Sequence, residues 1–246
     1  MQRFTPFFVV LFVLFPIIHS SCVFNRSEVH GNYQVVSDTL EIEDYDAIEL
    51  NVCADVIYRQ ISQAEPFLQI STDENILPAL WVQVKGNRLI IDSKKDSVLR
   101  PSRLIIYTNS KNLKDICING SSDICLENEV NTQEMNILIN GAGDIKADSL
   151  FCERLNVKIN GSGDIALAGA ATSADFRVSG SGDILATNFL VQEMDCRISG
   201  SGDISIYVTR KLNASITGSG DIKYRGNPES INTSVNGSGE IQKINR

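Results

Sequence analysis

From Lys114 onward, hydrophobic and polar residues alternate in short runs that break at a glycine corner and then resume. Aligned on the first glycine of each corner, the position two residues before it holds Ile118, Ile139, Ile159, Val178, Ile198, Ile216 and Val235. Two further back stand Ile116, Ile137, Val157, Phe176, Cys196, Ala214 and Thr233. Past the corner come Ile124, Ile145, Ile165, Ile184, Ile204, Ile222 and Ile241, and two beyond them Leu126, Ala147, Leu167, Ala186, Ile206, Tyr224 and Lys243. The interleaved positions are mostly polar, with Asn119, Asn140, Asn160, Ser179, Ser199, Thr217 and Asn236 directly before the glycine. Alternate residues of an extended chain point to opposite sides, so a period of two on both flanks of a turn predicts β-strands with one buried face. A helix cannot keep these positions on one side.

The corners themselves repeat. They read GSSDI from Gly120, GAGDI from Gly141, GSGDI from Gly161, Gly180, Gly200 and Gly218, and GSGEI from Gly237, at intervals of 18 to 21 residues. That period is the size of one turn of a β-solenoid and too short for a helical hairpin repeat. Antiparallel hairpins would call for matched strands and two-residue turns. Parallel coiling instead stacks like on like about 4.8 Å apart, which rewards identity down each column. The pattern therefore predicts an all-β, right-handed parallel β-helix with rungs of roughly 20 residues.

Before Lys114 the phrase is fainter: Asn51-Val52-Cys53-Ala54-Asp55-Val56 keeps its outline without the glycines. The 68 residues from Asp55 to Asp123 predict three or four irregular rungs. The expected organisation is a signal peptide over 1–21, a linker or N-terminal cap over 22–45, irregular rungs over 46–113 and regular rungs over 114–246.

The first 21 residues carry Arg3 and an apolar stretch from Phe7 to Ile18, broken by Pro16 and too short to span a bilayer. Ser20 and Ser21 before Cys22 resemble a bacterial lipobox, which makes Cys22 the candidate lipid attachment site. His19 departs from that motif, and ordinary signal-peptidase cleavage is the alternative. Either route gives an exported protein, at the outer membrane, in the periplasm or at the cell surface. The net charge of −8 and the lack of a basic run exclude nucleic acid as a partner class.

Candidate chemistry concentrates in one acidic column: Asp123, Asp144, Asp164, Asp183, Asp203, Asp221 and Glu240. In one reading each carboxylate caps its own Gly-Ser-Gly corner by accepting amide hydrogen bonds. In the other the column is a calcium edge. Repulsion between neighbours about 5 Å apart in water is roughly 0.8 kcal/mol, and a hydrogen bond to a charged group contributes about 1.5–3 kcal/mol. Capping alone can thus sustain the column, and no metal or cofactor is called for. Corner glycines are expected at positive φ, Gly163 among them. Cys53, Cys117, Cys125, Cys152 and Cys196 are odd in number, so at least one thiol stays unpaired or pairs between chains. A Cys117–Cys125 disulfide across one corner is an open alternative, and Cys196 reads as a core residue. Arg177 and Arg197 align on one face, where they could contact sugar acids or simply meet solvent. Acids spread evenly along the chain, with no histidine base, do not gather into a catalytic centre.

With these residues in hand, the serial (I/V)-(N/S)-G-S-G-D-I phrases over about 46–246 resemble the auto-transporter adhesin family that carries the head GIN domain. The resemblance implies a β-helix on a bacterial cell envelope with a role in adhesion, and it supplies no catalytic residues. The expected function is a non-enzymatic adhesin or interaction module. Its partners would be a surface glycan or an envelope protein, the membrane through a lipid anchor, and a second copy of itself. The alternatives are a polysaccharide-degrading β-helix enzyme and a purely structural envelope protein.

Overall fold

The computed structural model describes residues 27–94 and 97–245, so the expected signal peptide and Cys22 lie outside the described residues. The chain winds as a parallel β-solenoid in which each repeat lies directly on its neighbour. Gly120, Gly141, Gly161, Gly180, Gly200, Gly218 and Gly237 pair in that order, one strand to the next. The long strands Ile145–Gly161, Ile165–Gly180, Ile184–Gly200 and Ile204–Gly218 each run from one corner to the next. Register shifts partway along, as between Ala147 and Leu150, take up the differences in repeat length without disturbing the corner columns.

The isoleucine columns fill the bore. Ile118, Ile139, Ile159, Ile124, Ile145 and Ile165 are all buried, and the narrower positions Ala147 and Ala186 alternate with Leu126, Leu167 and Ile206. Cys196 is buried among them as the sequence indicated. Beside the corners, a ladder of side-chain amides runs along the outside. Asn119 donates to Asn51, Asn140 to Asn119 and Asn160 to Asn140, at 2.8, 2.9 and 2.8 Å. At the last rung the pattern fails: Thr233 and Val235 are exposed, because among the described residues no strand lies over Ser230–Gly237.

The largest departure from expectation is at the other end. Asp123 does not sit three or four rungs above Asp55; the two are direct partners, with Asp55–Gln60 pairing against Asp123–Glu127 and Ala47–Leu50 against Asp115–Gly120. The intervening chain builds on the opposite side of Ala47–Leu50 and Asp55–Gln60 instead. Arg88–Ser93 and Leu104–Ser110 form a turn beneath Ala47–Leu50 and Asp55–Gln60. Phe67–Asp73 then adds antiparallel to Leu104–Ser110, Val35–Glu41 antiparallel to Phe67–Asp73, and Leu80–Lys85 antiparallel to Arg88–Ser93. These reversed strands end the parallel stack.

Asp73 fastens this closed end. Its carboxylate is buried and accepts the Ser102 hydroxyl and amide at 2.7 Å each and the Tyr33 amide at 2.7 Å, tying three chain segments together. The Ser102 hydroxyl, followed by the amides, holds its carboxyl below the usual range against the effect of burial. Deeper in, Tyr45 reaches Thr108 at 2.7 Å and Tyr58 reaches Ser110 at 2.9 Å, so both buried phenols are satisfied. Burial raises the pKa of each and keeps them neutral.

Candidate functional site

The acidic column stands on the glycine corners, and two different constraints shape those corners. Gly161 has φ +147, a region open to glycine, and a Cβ there would also lie 2.0 Å from the Gly141 carbonyl oxygen. Gly163 lies outside that left-handed region, contrary to expectation. It must be glycine because a Cβ would meet the Gly143 carbonyl oxygen at 2.1 Å. Close backbone approach between rungs, more than dihedral freedom, fixes the second glycine. The first corner shows the exception that supports this. Ser122 takes the second-glycine position above a rung lacking glycines, and its hydroxyl donates to the Val52 carbonyl while accepting from the Ala54 amide at 3.1 Å.

The carboxylates do not cap their own corners. Each reaches to the next rung: Asp123 Oδ1 accepts the Asp144 amide at 2.9 Å, Asp144 that of Asp164 at 2.8 Å, and Asp164 that of Asp183 at 2.8 Å. Asp183, Asp203 and Asp221 continue the series to Asp203, Asp221 and Glu240 at 2.7, 2.8 and 2.9 Å. The following isoleucine amide bonds to the backbone carbonyl of the next rung's acid, as Ile145 does to Asp164 at 2.9 Å. The side chain thus supplies the acceptor that the ladder would otherwise lack where the corner bends away. Every Asp from Asp123 to Asp221 has one oxygen committed to this bond. Among the described residues, the second oxygen of Asp123, Asp144, Asp164 and Asp183 has no hydrogen bond or ion pair.

This rail forms one wall of a groove of about 640 Å³ running along the solenoid from Asp55 to Asp203. The other wall is the outward column just past the isoleucines: Ile57, Cys125, Lys146, Ala166, Leu185 and Ser205. Leu185 is 56% exposed there. Lys146 pairs with Asp148 at 2.9 Å. Beyond Ser205 the same column holds Lys223, whose ammonium lies between the free oxygens of Asp203 and Asp221 at 3.6 and 3.8 Å and closes the groove. Among the described residues no three His, Cys, Asp or Glu side chains come together as metal ligands would; the acids stand in single file.

Other candidates are placed elsewhere. All five cysteines in the described residues are free, Cys117 and Cys125 included. Burial pushes the Cys152 thiol up to about 11 and Cys196 higher still, so neither is a thiolate nucleophile near neutrality. Arg177 forms a two-pronged pair with Asp175 of its own strand at 2.8 and 2.7 Å, which leaves it little freedom to hold a sugar acid. Two features escaped sequence reading. The groove's second wall, of mixed residues, is the interleaved column between two core columns, and Lys223 is its last lysine. The second is a column of Phe151, Ala170, Leu190 and Tyr207 on successive rungs, with Phe151, Leu190 and Tyr207 exposed. Unequal repeat lengths throw these residues out of alignment when counted from the glycine.

The same architecture occurs in solved structures. A protein described as a "putative adhesin" from Bacteroides fragilis is 29% identical and superposes with a TM-score of 0.83, covering 88% of this chain and 100% of its own. A "putative lipid binding protein" from Parabacteroides distasonis is 32% identical, with a TM-score of 0.76 and coverage of 89% and 100%. A "putative adhesin" from Parabacteroides merdae is 27% identical, with a TM-score of 0.71 and the same coverage. Comparison with curated proteins gives no match. The profile of the family described as "Putative auto-transporter adhesin, head GIN domain" matches residues 44–228. Its match covers most of the closed end and the corners and rail as far as Asp221, and the chain belongs to that family.

Proposed function

We propose that the protein is a non-enzymatic adhesion module of the bacterial cell envelope that binds an elongated partner along its stacked face. The observation that carries this reading is the groove from Asp55 to Asp203, in which a carboxylate recurs at every rung over successive turns. Such a surface suits a repetitive ligand, because each added stretch of the ligand meets an equivalent carboxylate. A catalytic cleft needs the opposite, a single place where unlike groups converge. Family membership and the adhesin-type structural relatives favour the same reading. A glycan is the partner class we favour over an envelope protein, since a polysaccharide is itself a repeat.

The lipobox-like Ser20-Ser21-Cys22 supports anchoring through an acyl chain on Cys22. Mass spectrometry of the membrane-extracted protein tests this directly: an acylated N-terminal Cys22 is expected, and an unmodified N-terminus contradicts it. A second reading, an apolar or lipid ligand, is favoured by the exposed Phe151, Leu190 and Tyr207 column and by the relative described as lipid binding.

A glycan array probed with the folded protein tests the main reading. Reproducible binding to a polysaccharide class supports adhesion. Silence from a protein whose thermal melt is intact overturns the glycan partner.

A further inference from the structure

Resting on the reading of the groove as a ligand face, we infer that its occupant is a cationic polymer with one ammonium per repeat, and that an amino-sugar chain without its N-acetyl groups is the chemistry that fits. Three observations lead there. The first is that the rail is preorganised. One oxygen of each aspartate from Asp123 to Asp183 is held by the next rung's amide, so the other is presented at a fixed point with no ion pair among the described residues, and Lys146 on the facing column pairs with Asp148 instead. The second is that the protein already shows what sits against such oxygens. Where the groove ends, Lys223 places its ammonium between the corresponding oxygens of Asp203 and Asp221, bridging two successive rungs. The third is the opposite wall, where Ala166 and Leu185 give an apolar strip for the uncharged body of a chain.

Spacing selects among cationic chains. The carboxylates recur at the strand separation, about 4.8 Å. Side chains on one side of an extended peptide recur at about 6.7 Å, twice the rise per residue, so a basic peptide falls out of step within a few rungs. A pyranose ring linked through equatorial positions advances by close to one rung. Successive rings of a β-1,4-linked chain are turned over, so amines on one side recur at close to two rungs, and every second ring can set its amine against every second aspartate while the ring bodies lie along the apolar strip. The single-file acids suit charge distributed along a chain, not charge concentrated at one ion.

The test is titration of the purified protein with a β-1,4-linked glucosamine hexamer, at a mildly acidic pH that keeps its amines protonated, beside the fully N-acetylated hexamer. Saturable binding of the first and at least tenfold weaker binding of the second are expected. Raising the salt from about 0.15 M to about 1 M shortens screening from roughly 8 to roughly 3 Å, and should weaken binding at least tenfold. The triple variant Asp144→Asn, Asp164→Asn, Asp183→Asn keeps each side-chain acceptor and hence the stack, and should lose binding at least tenfold with an unchanged melting profile. Lys223→Gln frees two more carboxylates and should tighten binding two- to threefold, an effect that a purely structural lysine would not give. Equal affinity for both hexamers, full affinity in the triple variant, or tighter binding of an oligolysine each overturn the inference. A glycan-array hit that the triple variant retains would overturn it while leaving the adhesion reading intact.

Discussion

The regular stack over 115–225 and the closed end over 27–110 bury similar aliphatic cores by opposite means. In the stack, every backbone pairing joins strands that run the same way, and the contacts of one rung recur in the next. At the closed end, three antiparallel pairings reverse the chain, and single non-repeated anchors such as Asp73 and the Tyr45–Thr108 pair hold it. The difference shows what repetition does. In the stack a side chain is constrained mainly by its counterparts above and below, so its type repeats. At the closed end, away from the strands that touch the stack, each residue answers to a unique neighbour, and the repeat is lost.

That contrast can be broken most forcefully at a corner. Gly161→Val places a side chain on the Gly141 carbonyl at a φ of +147 and should cost more than about 4 kcal/mol or abolish folding. At the closed end, Gly86 also has positive φ, +58, but a Cβ there meets nothing within 4 Å, so Gly86→Ala should cost only about 1–2 kcal/mol. Chemical denaturation of the two variants checks the pair, and equal losses would show that close approach between rungs is not what fixes the corner.

A smaller effect is expected at the rail. Asp164→Ala removes the acceptor of the Asp183 amide and should cost about 1 kcal/mol, whereas Asp164→Asn retains an oxygen and should cost less than half of that. Thermal melts of both variants decide it. If the bond were instead within one corner, the Asp183 amide would show no change in hydrogen exchange in either variant.

The smallest effect is confined to the closed end. Asp73 titrates below its ordinary value of 3.8, so the stability it contributes is fully present above that value and disappears as pH falls through its lowered folded pKa. Hydrogen exchange around Tyr33 and Ser102 should therefore accelerate in acid before that of the stack, and Asp73→Asn should remove this pH dependence. Uniform acid loosening along the whole chain would contradict the assignment.

The same contrast explains how much was legible in the sequence. Ile118, Ile139 and Ile159 disclosed the bore and the parallel winding, because stacking repeats their environment and hence their identity. The rail was visible for that reason too, although its partner was misjudged: a carboxylate bonding its own corner and one bonding the corner above have the same sequence signature. The adjacency of Asp55 and Asp123 was not legible. The chain between them contributes antiparallel strands whose alternation, as in Leu68-Gln69-Ile70, looks the same whether a strand continues the spiral or turns back on it. The groove went unread because its second wall varies from Ile57 to Cys125, Lys146, Ala166, Leu185 and Ser205, and a column without a consensus does not announce itself.

The central claim is that like positions lie one rung apart even across the 68-residue excursion, as the Asn51–Asn119 side-chain contact at 2.8 Å shows. Paired cysteines test it most directly, in a background with the native thiols replaced by serine or alanine. Neighbouring strands at about 4.8 Å lie within the Cα separation of about 4.4–6.8 Å that a disulfide requires. Asn51→Cys with Asn119→Cys should therefore crosslink under mild oxidation, and Asn51→Cys with Asn140→Cys, one rung further, should not. Failure of the first pair in a folded protein, or ready crosslinking of the second, would contradict the account.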